Sequence, residues 1–246
     1  MPFVFSRDAV HHLWGSVSGA FASVIFPAGC RLCEELITDA RRLPLCNHCL
    51  ASFQEIPPGS CDICGLPATF DPEFPKELPL CADCQERRFG FQLARSYGCY
   101  EGALAQSILL LKHEQIEPLG KWFAERLTEV VRRESERMAA DVIVPVPLHR
   151  QRSRERGFNQ VDVIGRPLAK KLHLPYQSLL LVRSRPRPEK HLLRSEERWE
   201  AVRGAFAMRN RGRVDNLRIL LLDDVIPQER RWMPVRGHCV TQAPTP

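Results

Sequence analysis

Leu217-Arg218-Ile219-Leu220-Leu221-Leu222-Asp223-Asp224-Val225-Ile226 is an apolar run interrupted once and then closed by two adjacent carboxylates. A buried parallel strand delivers acidic groups to a ligand in this way, because ligand sites of open α/β sheets lie beyond the carboxyl ends of the strands. The preceding chain supports such a sheet. Pro118 to Met138 sets Leu119, Trp122, Phe123, Leu127, Val130 and Val131 on one face of an amphipathic helix with a proline in its first turn. Val142-Ile143-Val144 reads as a short buried strand, Val161, Ile164, Leu168 and Leu172 mark a second helix, and Leu179 to Val182 a further strand. Strand, helix and strand in succession predict a parallel sheet flanked by helices, starting near Phe91.

Pro145-Val146-Pro147-Leu148 cannot continue a strand or a helix, since two prolines remove backbone donors, so a loop is expected to follow the first strand. Arg150, Arg152, Arg154 and Arg156 lie in it, ahead of Gly157-Phe158-Asn159-Gln160. A basic loop that runs from a strand edge into a helix start suits a polyanion such as pyrophosphate. Solvated arginines would explain the charge alone equally well, and the neighbouring Asp223-Asp224 pair favours a shared site. Carboxylates at this position can take ribose hydroxyls.

Four C-x-x-C pairs fall within 55 residues: Cys30/Cys33, Cys46/Cys49, Cys61/Cys64 and Cys81/Cys84. A two-residue gap turns both sulfurs of a tight turn toward one Zn²⁺, and two such turns complete a tetrahedral S₄ site. The spacers of twelve and sixteen residues suit zinc ribbons, so two structural zinc ions are expected. Gly65 directly after Cys64 suits a turn with positive φ. Pairing in sequence order and a crossed pairing of first with third and second with fourth both satisfy the spacing. Disulfides have no export signal to support them, and a redox dithiol normally comes as one pair. His48 inside a pair reads as a solvated side chain, and Cys99 and Cys239 as ordinary thiols without metal partners.

The net charge of +6 over 246 residues is a mild excess that argues only weakly for phosphate ligands or nucleic acid. Composition is that of a globular protein, with 44% hydrophobic and 26% charged residues, and excludes coiled-coil and disordered classes. The apolar N-terminus is broken by Asp8, His11 and His12 and lacks a basic leader, so it predicts a docking helix through Leu13, Trp14, Val17, Phe21, Val24 and Ile25 rather than an export signal. No uninterrupted apolar stretch reaches the ~18 residues of a membrane span, and a cytoplasmic protein is expected.

Pro145-Val146-Pro147-Leu148, Arg156-Gly157-Phe158-Asn159-Gln160, Arg198 with Gly204-Ala205-Phe206, and Leu222-Asp223-Asp224-Val225 together resemble the competence protein F (ComF) family over roughly residues 27 to 226. The resemblance implies a double zinc ribbon followed by a phosphoribosyltransferase-like domain, and a 5-phosphoribosyl 1-pyrophosphate (PRPP) ligand with Mg²⁺. It implies that Asp223 and Asp224 take the ribose hydroxyls as the catalytic pair. The segment Pro147 to Gly157 would hold the pyrophosphate, with Arg156 as its main charged contact and Arg152 and Gly157 beside it, and Asn159 and Gln160 would fix the helix start. Lys112, after an apolar helix, would face the same site or lie on the surface. It also implies a link to the internalisation of single-stranded DNA in natural transformation or to DNA as a nutrient, with a DNA-uptake helicase as a partner. Expected boundaries are a docking helix at 1–27, ribbons at 28–88, the α/β domain at 89–226 and an aberrant tail at 227–246.

The chain departs from the family at Lys190 and Ala201, where glutamine and asparagine are usual, and more gravely after Val225-Ile226. There the family places a T-T-G-x-T loop whose backbone N–H groups and hydroxyls grip a phosphate at a helix N-terminus. This chain has Pro227-Gln228-Glu229-Arg230-Arg231-Trp232-Met233-Pro234. Those residues can be encoded by CCA CAG GAG CGA CGG TGG ATG CCG. One adenine placed in front gives ACC ACA GGA GCG ACG GTG GAT GCC, which reads Thr-Thr-Gly-Ala-Thr-Val-Asp-Ala. Val235 to Pro246 can likewise be read in the displaced frame as a helical continuation. Residues 227–246 are therefore expected to be a frameshifted tail that leaves the domain C-terminally incomplete and exposes apolar surface of the last strand. Three functions compete: a PRPP-binding, phosphoribosyltransferase-like protein of DNA uptake; a zinc-ribbon module that docks nucleic acid or a partner without catalysis; and an inactive chain that retains only zinc.

Overall fold

The structure, a computed structural model, describes residues 29–37, 43–67, 80–86, 91–184, 205–209, 216–226 and 239–243. The N-terminal docking helix, Arg198, Lys190, Ala201 and residues 227–238 lie outside them.

The two ribbons repeat one local design. In the first, Glu34 N–H donates to Cys30 O at 2.9 Å and Cys30 N–H to Glu35 O at 2.8 Å; in the second, Gly65 N–H donates to Cys61 O at 2.9 Å and Cys61 N–H to Leu66 O at 2.7 Å. The residue after each second thiol is left-handed, Glu34 at φ +63° and Gly65 at φ +70°, so the positive φ expected at Gly65 recurs at a residue with a side chain. The second thiol pair of each ribbon opens a short helix, α1 (Asn47–Ala51) and α2 (Ala82–Gln85), with Cys46 and Cys81 as the extended residues before them.

Inter-residue contacts divide the chain into two compact units at Phe53/Gln54. The second ribbon therefore belongs to the same compact unit as the sheet. Ala94 N–H donates to Ile63 O at 2.7 Å, and Arg95 donates to the carbonyls of Asp62 and Ile63, which fastens the ribbon to the first strand of the sheet.

The sheet contains β1 (Leu93–Ser96), β2 (Val142–Pro145), β5 (Ile219–Asp223) and β6 (Cys239–Ala243) in the order β1-β6-β5-β2. The expected parallel pairing is the β2–β5 ladder, with Val142 opposite Ile219 and Pro145 opposite Leu222. β6 is antiparallel to both its neighbours, so β1, β5 and β2 run one way and the tail strand between β1 and β5 runs the other. β3 (Leu181–Arg183) and β4 (Phe206–Met208) form a separate two-stranded antiparallel sheet.

The helices are α3 (Gly102–His113), α4 (Glu117–Arg133), α5 (Arg150–Arg156) and α6 (Gln160–Leu172). α4 carries the expected Pro118 in its first turn and ends at Arg133, five residues short of Met138, burying Leu119, Phe123, Leu127 and Val131. It packs against α6, and contact is close enough that a Cβ on Gly120 would lie 2.6 Å from Val163 O, so any side chain there would push the helices apart. β2 is buried at every position, as a strand covered on both faces must be, whereas β5 alternates between buried Leu220 and Leu222 and half-buried Ile219, Leu221 and Asp223. Leu220 and Leu222 on the inner face of β5 are 0% exposed.

Candidate functional site

Three chain segments meet at the carboxyl ends of β2 and β5. Val146 N–H donates to Leu222 O at 2.8 Å and ties the segment after β2 to the end of β5. Asn159 then ties the start of α6 to the same place, its Nδ2 donating to Val146 O at 3.3 Å and its Oδ1 accepting from Val161 N–H at 3.2 Å as the helix N-cap. The third segment is the last turn of α3, which carries Lys112.

Asp224 is the centre of the resulting network and is 6% exposed. Its Oδ2 accepts from Gln160 Nε2 at 2.8 Å and lies 3.0 Å from Lys112 Nζ. Gln160 Oε1 in turn accepts from Arg156 Nη1 at 2.5 Å. Gln160 is buried and bridges a carboxylate and a guanidinium as a strut. A buried carboxylate needs such partners, since an unpaired charge in a protein interior costs several kcal/mol. Lys112 also lies 5.9 Å from the Tyr100 ring centroid. Its ammonium group thus lies between the Asp224 carboxylate and the Tyr100 ring. Tyr100 was not singled out from the sequence, where no spacing connects it to the acidic pair.

Asp223 is half-buried, and its Oδ1 accepts from Asp224 N–H at 2.8 Å. Enclosure by surrounding protein and the adjacent Asp224 charge raise its pKa well above the usual carboxylate range, while Lys112 opposes them. Burial lowers the pKa of Arg156, the Asp224 charge opposes that, and Arg152 adds to the lowering, so Arg156 is within electrostatic reach of both Asp224 and Arg152.

The arginine segment is not the open loop expected. Residues Arg150–Arg156 form α5, capped by His149 Nδ1 accepting from Gln151 N–H at 3.4 Å and closed by Gly157 at φ +79°. Arg150, Arg152 and Arg154 are exposed along it, and Arg156 alone turns inward to Gln160. Gly157 contributes the left-handed turn between α5 and α6, a backbone role. Ala205 is buried and Phe206 begins β4, with the Arg183 guanidinium 5.1 Å from its ring centroid.

The eight thiols form two tetrads in sequence order, Cys30/Cys33/Cys46/Cys49 and Cys61/Cys64/Cys81/Cys84, which resolves the pairing left open by spacing. Within the tetrads, sulfur separations are 3.7 Å for Cys30–Cys49, 3.6 Å for Cys33–Cys46 and 3.6 Å for Cys64–Cys81. A ZnS₄ tetrahedron with bonds of about 2.3 Å has edges of about 3.8 Å, so both tetrads fit a zinc ion. Cys49 N–H donates to Cys46 Sγ and Cys81 N–H to Cys61 Sγ, each at 3.4 Å, the outer bonds a thiolate ligand needs. Zinc bound there is a structural cross-link. His48 is exposed on α1, and Cys99 is a buried thiol outside both tetrads.

Two tetrathiolate ribbons leading into an α/β sheet with a carboxylate pair at its strand edge define a double-zinc-ribbon α/β protein. Residues 21–85 match the double zinc ribbon domain family. The chain is 30% identical over 169 residues to DNA utilization protein YhgH of Escherichia coli K12, covering 68% of this chain and 71% of that protein, and equally identical to YhgH of Salmonella typhimurium LT2. Competence protein F of Haemophilus influenzae is 24% identical over 186 residues, covering 74% of this chain and 78% of that protein. The chain belongs to the competence protein F family. No helix among the described residues is long and apolar enough to cross a membrane.

Proposed function

We propose that this chain is a DNA-utilisation protein whose α/β unit has the architecture of a PRPP site, with two zinc ribbons as structural supports. The names of its relatives, DNA utilization protein and competence protein F, support the first part. The observation that carries the second is the network in which buried Asp224 is held by Lys112 and, through Gln160, coupled to Arg156 at the ends of two parallel strands. A ribose presents two hydroxyls to adjacent carboxylates, and its pyrophosphate would extend toward Arg156 and Arg152. Mg²⁺, held on the pyrophosphate, would supply neutralisation of its charge. Asp223, whose pKa is raised first by burial and then by its like-charged neighbour, gains from a hydroxyl that donates to it.

The proposal includes the frameshifted tail. Without the T-T-G-x-T sequence after Ile226, the segment lacks the residues of a 5-phosphate cradle, so this chain is expected to bind weakly and the reaction class of a phosphoribosyltransferase is that of its lineage. Calorimetry with Mg²⁺-PRPP on this chain and on a version with one base restored before codon 227 tests both parts. Binding recovered by the repair supports them. Absence of binding in both rejects the PRPP site, and a gene with no T-T-G reading one base away rejects the frameshift.

A second reading rests on the exposure of Arg150, Arg152 and Arg154 along α5. In it the helix engages single-stranded DNA or a helicase partner, with salt-sensitive binding that survives Asp223→Ala.

A further inference from the structure

The two tetrads are alike in ligands and pairing but not in access. In the second, Cys61, Cys64, Cys81 and Cys84 are 1%, 6%, 1% and 4% exposed, with Ile63, Leu66, Leu80 and Phe91 packed against them. In the first, Cys30, Cys46 and Cys49 are buried, whereas Cys33 is exposed. The cause is local. Cys33 and Cys64 hold the same place in the repeated turn, and β1 covers the second copy: Ala94 N–H bonds to Ile63 O, and Ala94 O lies 3.2 Å from where a Gly65 Cβ would be. The corresponding residues of the first turn, Glu34, Glu35 and Leu36, are exposed, Leu36 at 59%.

We infer that Cys33 is an oxidative modification site and that the first tetrad is a releasable zinc site, with the second tetrad as the permanent one. The inference rests on zinc filling both tetrads. Its substrate class is a small hydroperoxide, which must reach a sulfur lone pair in line with its O–O bond, and among the eight ligands only Cys33 offers that approach. The Cys33 sulfur attacks the peroxide, an S–O bond forms and the O–O bond breaks, and the departing hydroxide takes a proton to become water. Cysteine is oxidised to the sulfenic acid and the peroxide is reduced. Cys46, whose Sγ lies 3.6 Å from that of Cys33, is placed to resolve it. Its sulfur attacks the sulfenic sulfur, an S–S bond forms, and the S–O bond breaks to release a second hydroxide that is protonated to water. Two thiolates are lost from one ion, and a site left with two thiolates no longer closes around zinc.

The test uses the full chain loaded with two zinc ions, checked by elemental analysis. Hydrogen peroxide is added in the presence of a chromophoric zinc chelator, and disulfides are mapped by peptide mass spectrometry. One equivalent of zinc is expected to leave at least about tenfold faster than the second, with Cys33–Cys46 as the first disulfide. Cys33→His keeps a zinc ligand while removing the oxidisable sulfur, so it is expected to slow the fast phase to the rate of the second. Equal release from both tetrads, a first disulfide among Cys61, Cys64, Cys81 and Cys84, or an unchanged fast phase in Cys33→His would overturn the inference. A chain that purifies with fewer than two zinc ions would instead remove the zinc assignment on which it rests.

Discussion

Gln160→Leu isolates the strut of the carboxylate network. Leucine has nearly the volume of glutamine, so packing at this position is retained while both polar contacts are lost. Gln160 donates to buried Asp224 at 2.8 Å, and a hydrogen bond to a charged group contributes about 1.5–3 kcal/mol. On the other side, Arg156 is half-buried and can rehydrate, so losing its contact adds no more than about 1 kcal/mol. Lys112 remains 3.0 Å from Asp224 and prevents a fully unpaired buried charge. The expected destabilisation is therefore about 1.5–4 kcal/mol. Urea unfolding of the α/β unit, followed through Trp122 on α4, reads it directly. Lys112→Met completes a double-mutant cycle in which the two changes are expected to couple by more than about 0.5 kcal/mol, since both act on one carboxylate oxygen. A Gln160→Leu protein within about 0.5 kcal/mol of the parent would refute the strut.

The repeated ribbon turn gives a paired test: Glu34→Gly relieves a left-handed residue at φ +63° and is expected to stabilise zinc-loaded ribbon one by up to about 1 kcal/mol, whereas Gly65→Ala strains the equivalent turn and is expected to cost about 1–2 kcal/mol, both read as chelator resistance. Burial pushes the Tyr97 hydroxyl up to about 12, with Glu55 adding to the shift and Arg126 opposing it. A folded-state pKa raised above the unfolded value of about 10 means stability fully present below pH ~10 and lost as pH rises toward 12, so Tyr97→Phe is expected to flatten that alkaline loss in urea midpoints. Cys81→Ser is expected to reduce bound zinc from two ions to one and to expose Ile63, Leu66, Leu80 and Phe91, read as binding of a hydrophobic dye.

The thiol spacing made both metal sites legible, because a C-x-x-C turn is a local geometry that needs no knowledge of the rest of the chain. Which turns share an ion is not local, and only the fold separates sequential from crossed tetrads. Strand β5 and its terminal carboxylates were legible for the same reason as the ribbons, whereas the bond from Gln160 to Asp224 was not: Gln160 is 64 residues away and reaches it only because β2 and β5 are neighbours. The arginine segment was misread through its two leading prolines, although His149 as a cap and Gly157 as a stop frame a helix there. β6 escaped entirely, since residues 239–243 become a strand by pairing with β1 and β5 and carry no alternation that announces it. The exposure of Cys33 was equally hidden, because the repeated thiol turns look alike in sequence and only the fold shows which copy is covered.

The most direct test of the proposed site is a crystal structure of the base-restored protein grown with Mg²⁺-PRPP. The account predicts the ribose hydroxyls on Asp223 and Asp224, with the pyrophosphate directed toward Arg156. Ligand bound away from this carboxylate pair, or a saturated crystal with an empty strand edge, would contradict it.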